Sequence, residues 1–347
     1  MTLASVPHGI DAGAVSQWFA RHLEEVELPL AFTVITGGHS NLSYQVVDAA
    51  GHRYVLRRPP LAMLTPSAHD VLRESRVMSA LRDTPVPVPA VRGESQDESI
   101  TGAKFFVMDH VDGAVLRDPV EVEEHVPEAN RRRLAFRLVE TLAELHAIDP
   151  SEVGLSDLAR GSGYLHRQLR RWRSQWDSWK TRDLEPIDRV EIWLQDNLAE
   201  RDEVTIVHGD FRLDNTIVDE RRNVAAVLDW ELCTLGDPLA DLAVMSAYWV
   251  DPGAESIPHL SAATTLRGFP TRKELIARYA QVSERDVSTI DPYLAFACWR
   301  IAIILEGVYA RYRSGAFGEG HEDFEDIRAA ADRLAGQAEL IGPGTRS

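Results

Sequence analysis

Two cysteines and three lysines are all that the 347 residues supply of either type. Cys233 and Cys298 alone build neither a disulfide framework nor a cysteine zinc site, and so thiol-poor a chain suits a reducing, cytoplasmic compartment. With lysine scarce, arginine carries nearly all the positive charge, and the balance is acidic, −17 at pH 7. An acidic surface repels phosphodiesters, which excludes nucleic acid as an expected partner. Long hydrophobic runs are also missing. The N-terminus has neither a basic segment nor a continuous apolar one. The most apolar stretch, Tyr293 to Leu305, is interrupted by Arg300 and is expected to be too short for a bilayer, so no membrane is expected either. Walker A, HExxH and GxSxG patterns are absent, leaving P-loop, zinc-protease and serine-hydrolase chemistry unsupported.

What is present is ordinary for a globular protein, 44% hydrophobic and 26% charged, at a length that predicts two lobes or domains rather than one core. The informative stretch is Val207-His208-Gly209-Asp210-Phe211-Arg212-Leu213-Asp214-Asn215-Thr216-Ile217-Val218, followed by Val227-Leu228-Asp229-Trp230-Glu231. Thr216 to Val218 and Val224 to Leu228 read as strands, and the polar run Asp219 to Asn223 reads as the turn of a hairpin. Antiparallel pairing brings Asn215 and Asp229 within a residue or two of being opposite, so their oxygens can share one hard cation. Mg²⁺ takes few protein oxygens and completes its shell with phosphates and water. Asp210, on the loop before the hairpin, is then a carboxylate close to the metal but not needed as a ligand. Such a group suits orienting a hydroxyl and accepting its proton during phosphoryl transfer.

The form HGDxxxxN with LDWE resembles the aminoglycoside phosphotransferase and choline kinase-like family. The run LDWELCTLGDPLADLA resembles its branch fused to acyl-CoA dehydrogenases. The resemblance covers nearly the whole chain. It implies an α+β, two-lobed protein-kinase-like fold, with a β-rich N-terminal lobe over residues 1–111 and a helical C-terminal lobe over 112–347. It also implies ATP and Mg²⁺ as cofactors and a small-molecule hydroxyl as acceptor. By resemblance Asp210 is the catalytic base, and Asn215 and Asp229 are the metal ligands. The acceptor is expected to be a hydroxylated acyl or hydroxy-acid compound, or an aminoglycoside. The rival reading is a nucleotide-binding regulatory module without turnover.

Phe32 to Ile35 and Leu42 to Val46 flank Gly37-Gly38-His39-Ser40-Asn41, and in kinase-like folds such a loop covers the triphosphate. Arg53 to Arg58 is the next strand. There the resemblance implies a phosphate-holding Lys paired with a helix Glu, and this chain has Arg57 instead. Ser67 and Asp70 are expected to start a helix to about Arg82, whose apolar stripe of Val71, Met78 and Leu81 also contains Glu74. A carboxylate on a buried face needs a cation, and Arg57 is the candidate. Gly93 to Gly102 reads as a polar turn region and Lys104 to Met108 as a buried strand. The connector from Asp109 through Val111 to Gly113 is implied to meet the adenine through its backbone. Helices are expected over Glu128 to Ala147, around Trp172, Trp176 and Trp179, from Arg189 to Leu198, and near 271–281, 293–312 and 323–340. Asp237 reads as a helix N-cap before Pro238, so Asp237 and Asp241 are expected to be structural, and the resemblance implies that this motif braces the catalytic loop. His146 is expected to be a satisfied helix-end residue. Arg300 and Glu306 are either two halves of ion pairs or pocket residues. Gly342 to Ser347 reads as a frayed tail.

Overall fold

The computed structural model describes residues 7–35, 41–60, 70–159, 161, 163–198, 201, 203–314 and 324–346. The chain divides into two compact units, Met1–Gly113 with Ala225–Cys233, and Ala114–Val224 with Thr234–Ser347. The first unit therefore includes the segment carrying Asp229.

That first unit is built on an antiparallel sheet. Its strands are β1 (Ala31–Ile35), β2 (Leu42–Val47), β3 (Arg53–Arg58), β4 (Val91–Ser95) and β5 (Phe105–Asp109), in the order β1-β2-β3-β5-β4. Tyr44, Val46, Tyr54, Leu56, Phe105 and Val107 alternate onto one face and are buried with Val15, Trp18 and Phe19 of helix α1 (Ala12–His22). Helix α2 (Val71–Leu81) packs against β4 and β5. Its N-cap is Asp70, whose carboxylate accepts from the Arg73 amide at 3.1 Å. Ser67, expected to share that cap, lies outside the described residues, as do Gly37, Gly38, His39 and Ser40. The turn region expected from Gly93 begins instead inside β4. This edge strand is held by its ladder to β5 across a register shift between Val91 and Gly93, and only Ser95 in it is buried.

The second unit is mainly helical. It begins with α3 (Pro119–His125), which sequence reasoning missed, and α4 (Glu128–Ala147), which lies where it was expected. It continues through α5 (Tyr164–Trp179), α6 (Glu185–Asn197) and strand β6 (Thr205–Val207). The expected hairpin strands are β7 (Thr216–Val218), in this unit, and β8 (Val224–Val227), which runs from Val224 into the Ala225–Cys233 segment of the first. The Asp219 amide closes their turn on the Asn223 carbonyl at 3.0 Å. Strand β9 (Thr234–Gly236) pairs antiparallel with β6. The unit ends with α7 (Pro238–Tyr248), α8 (Arg272–Ser283), α9 (Ile290–Arg313) and α10 (Glu325–Ile341).

Helix α9 corrects one expectation. Its 24 residues are long and apolar enough to cross a membrane by length and composition, and 78% of that apolar window is buried inside the protein. It is a core helix flanked by α5, α6, α7 and α10. The tail expected to fray forms a 3₁₀ turn over Pro343–Arg346, and Gly342 donates to the Ala338 carbonyl at 3.0 Å.

Candidate active site

In the second unit, β6 delivers the chain into the loop His208 to Asn215, and α7 holds that loop from below. Pro238 and the Asp237 carboxylate start α7, with Asp237 accepting from the Leu239 amide at 2.9 Å and the Tyr293 hydroxyl at 2.7 Å. One turn on, buried Asp241 accepts from the backbone amides of His208 and Gly209, the latter at 2.7 Å. Burial opposes the Asp241 charge, but His146, His208 and these amides hold the carboxyl below its ordinary range. His146 lies 3.5 Å from Asp241 and 2.7 Å from the Tyr279 hydroxyl, and burial keeps it neutral by pushing its pKa down. The expected structural roles of Asp237, Asp241 and His146 are what the contacts give. Gly209, at φ 86°, makes a left-handed turn that a side chain would strain, and this turn presents Asp210.

Asp210 is fixed through one oxygen. Its Oδ2 accepts from the Asn215 amide nitrogen at 3.0 Å and from Arg212 Nε at 3.2 Å. Asn215 also donates to the Asp210 carbonyl at 2.9 Å, closing the 3₁₀ turn Leu213–Asn215 on itself. Among the described residues Asp210 Oδ1 has no protein partner, and the side chain keeps 20% of its surface exposed. Arg212 also pairs with Asp214 at 3.0 Å and lies 4.7 Å over the Tyr248 ring. Burial works against the Arg212 charge, and Asp210, Tyr248 and Asp214 hold it protonated. Burial pushes the Tyr248 hydroxyl up to about 12, so it stays a neutral platform. From α9, Arg300 donates to the Gly209 carbonyl at 3.0 Å. Sequence reasoning did not assign Arg212 or Tyr248 to the site and left Arg300 open between an ion pair and a pocket. Arg212 lies inside the motif at one of its unspecified positions, whereas the other two come from distant helices.

In the first unit the expected Arg57–Glu74 pair is present, with Nε to Oε2 at 2.8 Å. Glu74 is buried, at 2% exposure, and Arg57 is mostly covered, at 14%. The same guanidinium reaches Asp229 Oδ1 through Nη2 at 2.7 Å, a contact not anticipated from the sequence. Burial pushes the Glu74 carboxyl upward, and Arg57 and the Trp230 amide pull it back. Burial also works against the Arg57 charge, but the two carboxylates facing it keep it protonated. Asp229 sits in the left-handed region at φ 65° and ψ 59°, a conformation Asp tolerates better than branched residues. Arg73 of α2 binds the Glu231 carbonyl at 3.2 Å and the Cys233 carbonyl, and the Asn41 amide reaches Glu231 Oε2 at 3.3 Å. The segment after Asp229 is thus tied to α2 and to the residue following the glycine loop. Arg58 is buried and spends its donors on the Gly9, Pro59 and Thr101 carbonyls.

Each unit carries one oxygen of the kind Mg²⁺ prefers. In the second, the Asn215 nitrogen faces Asp210, which leaves its amide oxygen as a donor, and in the first, Asp229 retains Oδ2 beside the Arg57-bound Oδ1. Among the described residues no three His, Cys, Asp or Glu cluster to hold a metal by themselves. In the connector, Arg92 grips the Asp109 carboxylate with both oxygens, at 2.6 and 2.7 Å. The following segment is tied to β3, with the His110 amide donating to the Arg53 carbonyl at 3.1 Å and Arg53 pairing with Asp112.

A model of the phosphotransferase enzyme family matches residues 31–275. The Gallus gallus protein named acyl-CoA dehydrogenase family member 11 is 36% identical over 331 residues, covering 91% of this chain and 42% of that protein. The chain therefore spans less than half the length of that relative. A solved structure from Ralstonia eutropha, assigned as an aminoglycoside phosphotransferase, superposes with TM-score 0.76 at 30% identity, covering 95% of this chain and 98% of that one. Choline kinase from Cryptosporidium parvum shares the fold, with TM-score 0.65 at 13% identity over 95% and 96% of the two chains. The α+β, two-lobed kinase-like architecture expected from the sequence is the architecture of these neighbours. The match over residues 31–275, together with relatives at 30% identity and above, shows that the chain belongs to the phosphotransferase enzyme family.

Proposed function

We propose that the protein transfers the γ-phosphoryl group of ATP to a hydroxyl of a small molecule. The observation that carries this reading is Asp210, whose Oδ2 is held by Asn215 and Arg212 while Oδ1 stays open to a substrate proton. In the proposed step the acceptor oxygen forms a bond to the γ-phosphorus as the bond to ADP breaks. ADP leaves with the electron pair, and the hydroxyl proton passes to Asp210. Asn215 and Asp229 would hold Mg²⁺, which would supply positive charge to offset that of the phosphates. Arg57 takes the place of the usual phosphate-holding Lys, positioned by Glu74. Gly37, Gly38, His39, Ser40 and Asn41 would cover the phosphates, and the Asp109 to Val111 backbone would face the base. Nucleotide-bound neighbours of the same fold, an ADP-bound aminoglycoside phosphotransferase among them, support nucleotide use.

For the acceptor, the likeness to proteins named acyl-CoA dehydrogenase family members favours a hydroxylated acyl or hydroxy-acid compound over an aminoglycoside. The rival reading, a binding module without turnover, is motivated by Arg57 in place of Lys, and the open Asp210 oxygen argues against it. Incubation with Mg-ATP and a panel of hydroxy acids, acyl compounds and aminoglycosides, reading ADP release, tests the proposal. Acceptor-dependent ADP release supports it, and its absence across the panel in protein that binds Mg-ATP would favour the module. An aminoglycoside kcat/KM far above every hydroxy acid would reverse the order of acceptors.

A further inference from the structure

Arg300 is a charge in the wrong place for a core helix. It projects from the middle of α9, a long and largely buried apolar helix of the second unit, and is only partly exposed. Among the described residues it has no carboxylate partner. The acidic groups nearby are already engaged: Asp241 by the His208 and Gly209 amides, Asp237 by Tyr293, and Asp210 and Asp214 by Arg212. Among the described residues Arg58 is satisfied by three carbonyls and Arg131 by two, whereas Arg272 and Arg300 each have one and a buried Nε without a partner. Of these two, Arg300 is the one whose carbonyl, that of Gly209 at 3.0 Å, adjoins Asp210. Its guanidinium lies 5.1 Å over the Trp172 ring, which fixes the plane of the fork without neutralising it. Desolvating a cation is costly unless an anion meets it, and this cation lies one residue from the proposed base.

We infer that Arg300 is the acceptor-binding cation of the second unit, taking an anionic oxygen, carboxylate or phosphate, carried by the molecule whose hydroxyl faces Asp210. This assignment rests on the phosphotransferase reading above and adds to it that the acceptor is an anion. A planar fork braced on an indole face and anchored at one corner is suited to a planar or tetrahedral oxyanion. The same geometry makes a cationic acceptor unfavourable beside it.

The test uses three compounds of one chain length, a hydroxycarboxylate, its primary amide and the matching diol, on wild type, Arg300→Gln and Arg300→Lys. Calorimetric binding without nucleotide and ADP release from Mg-ATP are both read. In wild type the carboxylate should bind roughly ten- to a hundredfold more tightly than the amide or diol, the scale of a charge-assisted contact. Arg300→Gln should bring that ratio close to one, acting on KM more than on kcat, and Arg300→Lys should keep part of it. Equal binding of the three compounds by wild type, or a preference that survives in folded Arg300→Gln, would overturn the assignment. So would a kcat loss shared equally by carboxylate and amide, which would place Arg300 on the transferred phosphoryl group or make it only a brace for Gly209. If Arg300→Gln lacks a cooperative melt, Arg300→Lys decides, and a carboxylate preference unchanged by the loss of the planar fork would count against the assignment. A calorimetric preference with no ADP release from any compound would retain the anion site and remove the phosphotransferase reading instead.

Discussion

At Arg57 one guanidinium serves two carboxylates by using the geometry that distinguishes arginine from lysine. Nε is committed to Glu74 and Nη2 to Asp229, so a single fork ties the helix side chain to the proposed metal ligand. Removing one partner leaves a buried charge uncompensated, at a cost of about 3–5 kcal/mol, whereas removing both should cost less than the sum. Denaturant unfolding of Arg57→Met, Glu74→Gln and the double variant should therefore show strong non-additivity, and simple additivity would mean that the pair does not act as a unit. Arg57→Lys should retain part of the ATP affinity, since it keeps the charge and loses the fork. The Arg57–Glu74 pair was legible because Glu74 interrupts an apolar stripe and a buried carboxylate demands a cation. The Arg57–Asp229 contact was not, because nothing local to either residue encodes a separation of 172 residues.

At the scale of elements, legibility followed how much of the stabilising information is local. Strand β3 was readable from its short apolar run closed by Pro59 and Pro60, and helix α4 from leucines repeating at the helical period. Strand β4 was not, since Val91–Ser95 is mostly polar, contains Gly93, and is a strand only because β5 offers it a ladder. Helix α3 carried its signals in plain view, an Asp118 cap and Pro119 at the first position, but it spans only seven residues. Helix packing in the second unit depends on small residues that pattern reading passes over. An added Cβ at Gly307 of α9 would come within 2.4 Å of the Trp179 ring of α5. Gly307→Ala should therefore destabilise the protein by about 1–3 kcal/mol through overpacking, even though alanine is the better helix former. A melting temperature equal to or above that of wild type would show that the α5–α9 contact yields easily.

For the molecule as a whole, folding and the site depend on the same buried polar network beneath the catalytic loop. Burial pushes His146 below its ordinary pKa, so the unfolded chain takes up its proton more readily than the folded one. The stability this contributes is fully present above the usual histidine value of about 6.5 and is lost as pH falls from there toward the lower folded value, by up to about 1.4 kcal/mol per pH unit. Chemical denaturation at pH 7.5 and 5.5 should show that loss, and His146→Asn should flatten the slope; an unchanged slope would assign the pH dependence to other groups. The same network presents Asp210, and the account stands or falls with that carboxylate. Its most direct test is Asp210→Asn, with Mg-ATP binding and acceptor-dependent ADP release measured on the same preparation. Nucleotide binding should stay close to wild type with kcat reduced roughly 10²–10⁴-fold, the share of a general base. An unchanged kcat in that variant would contradict Asp210 as the base.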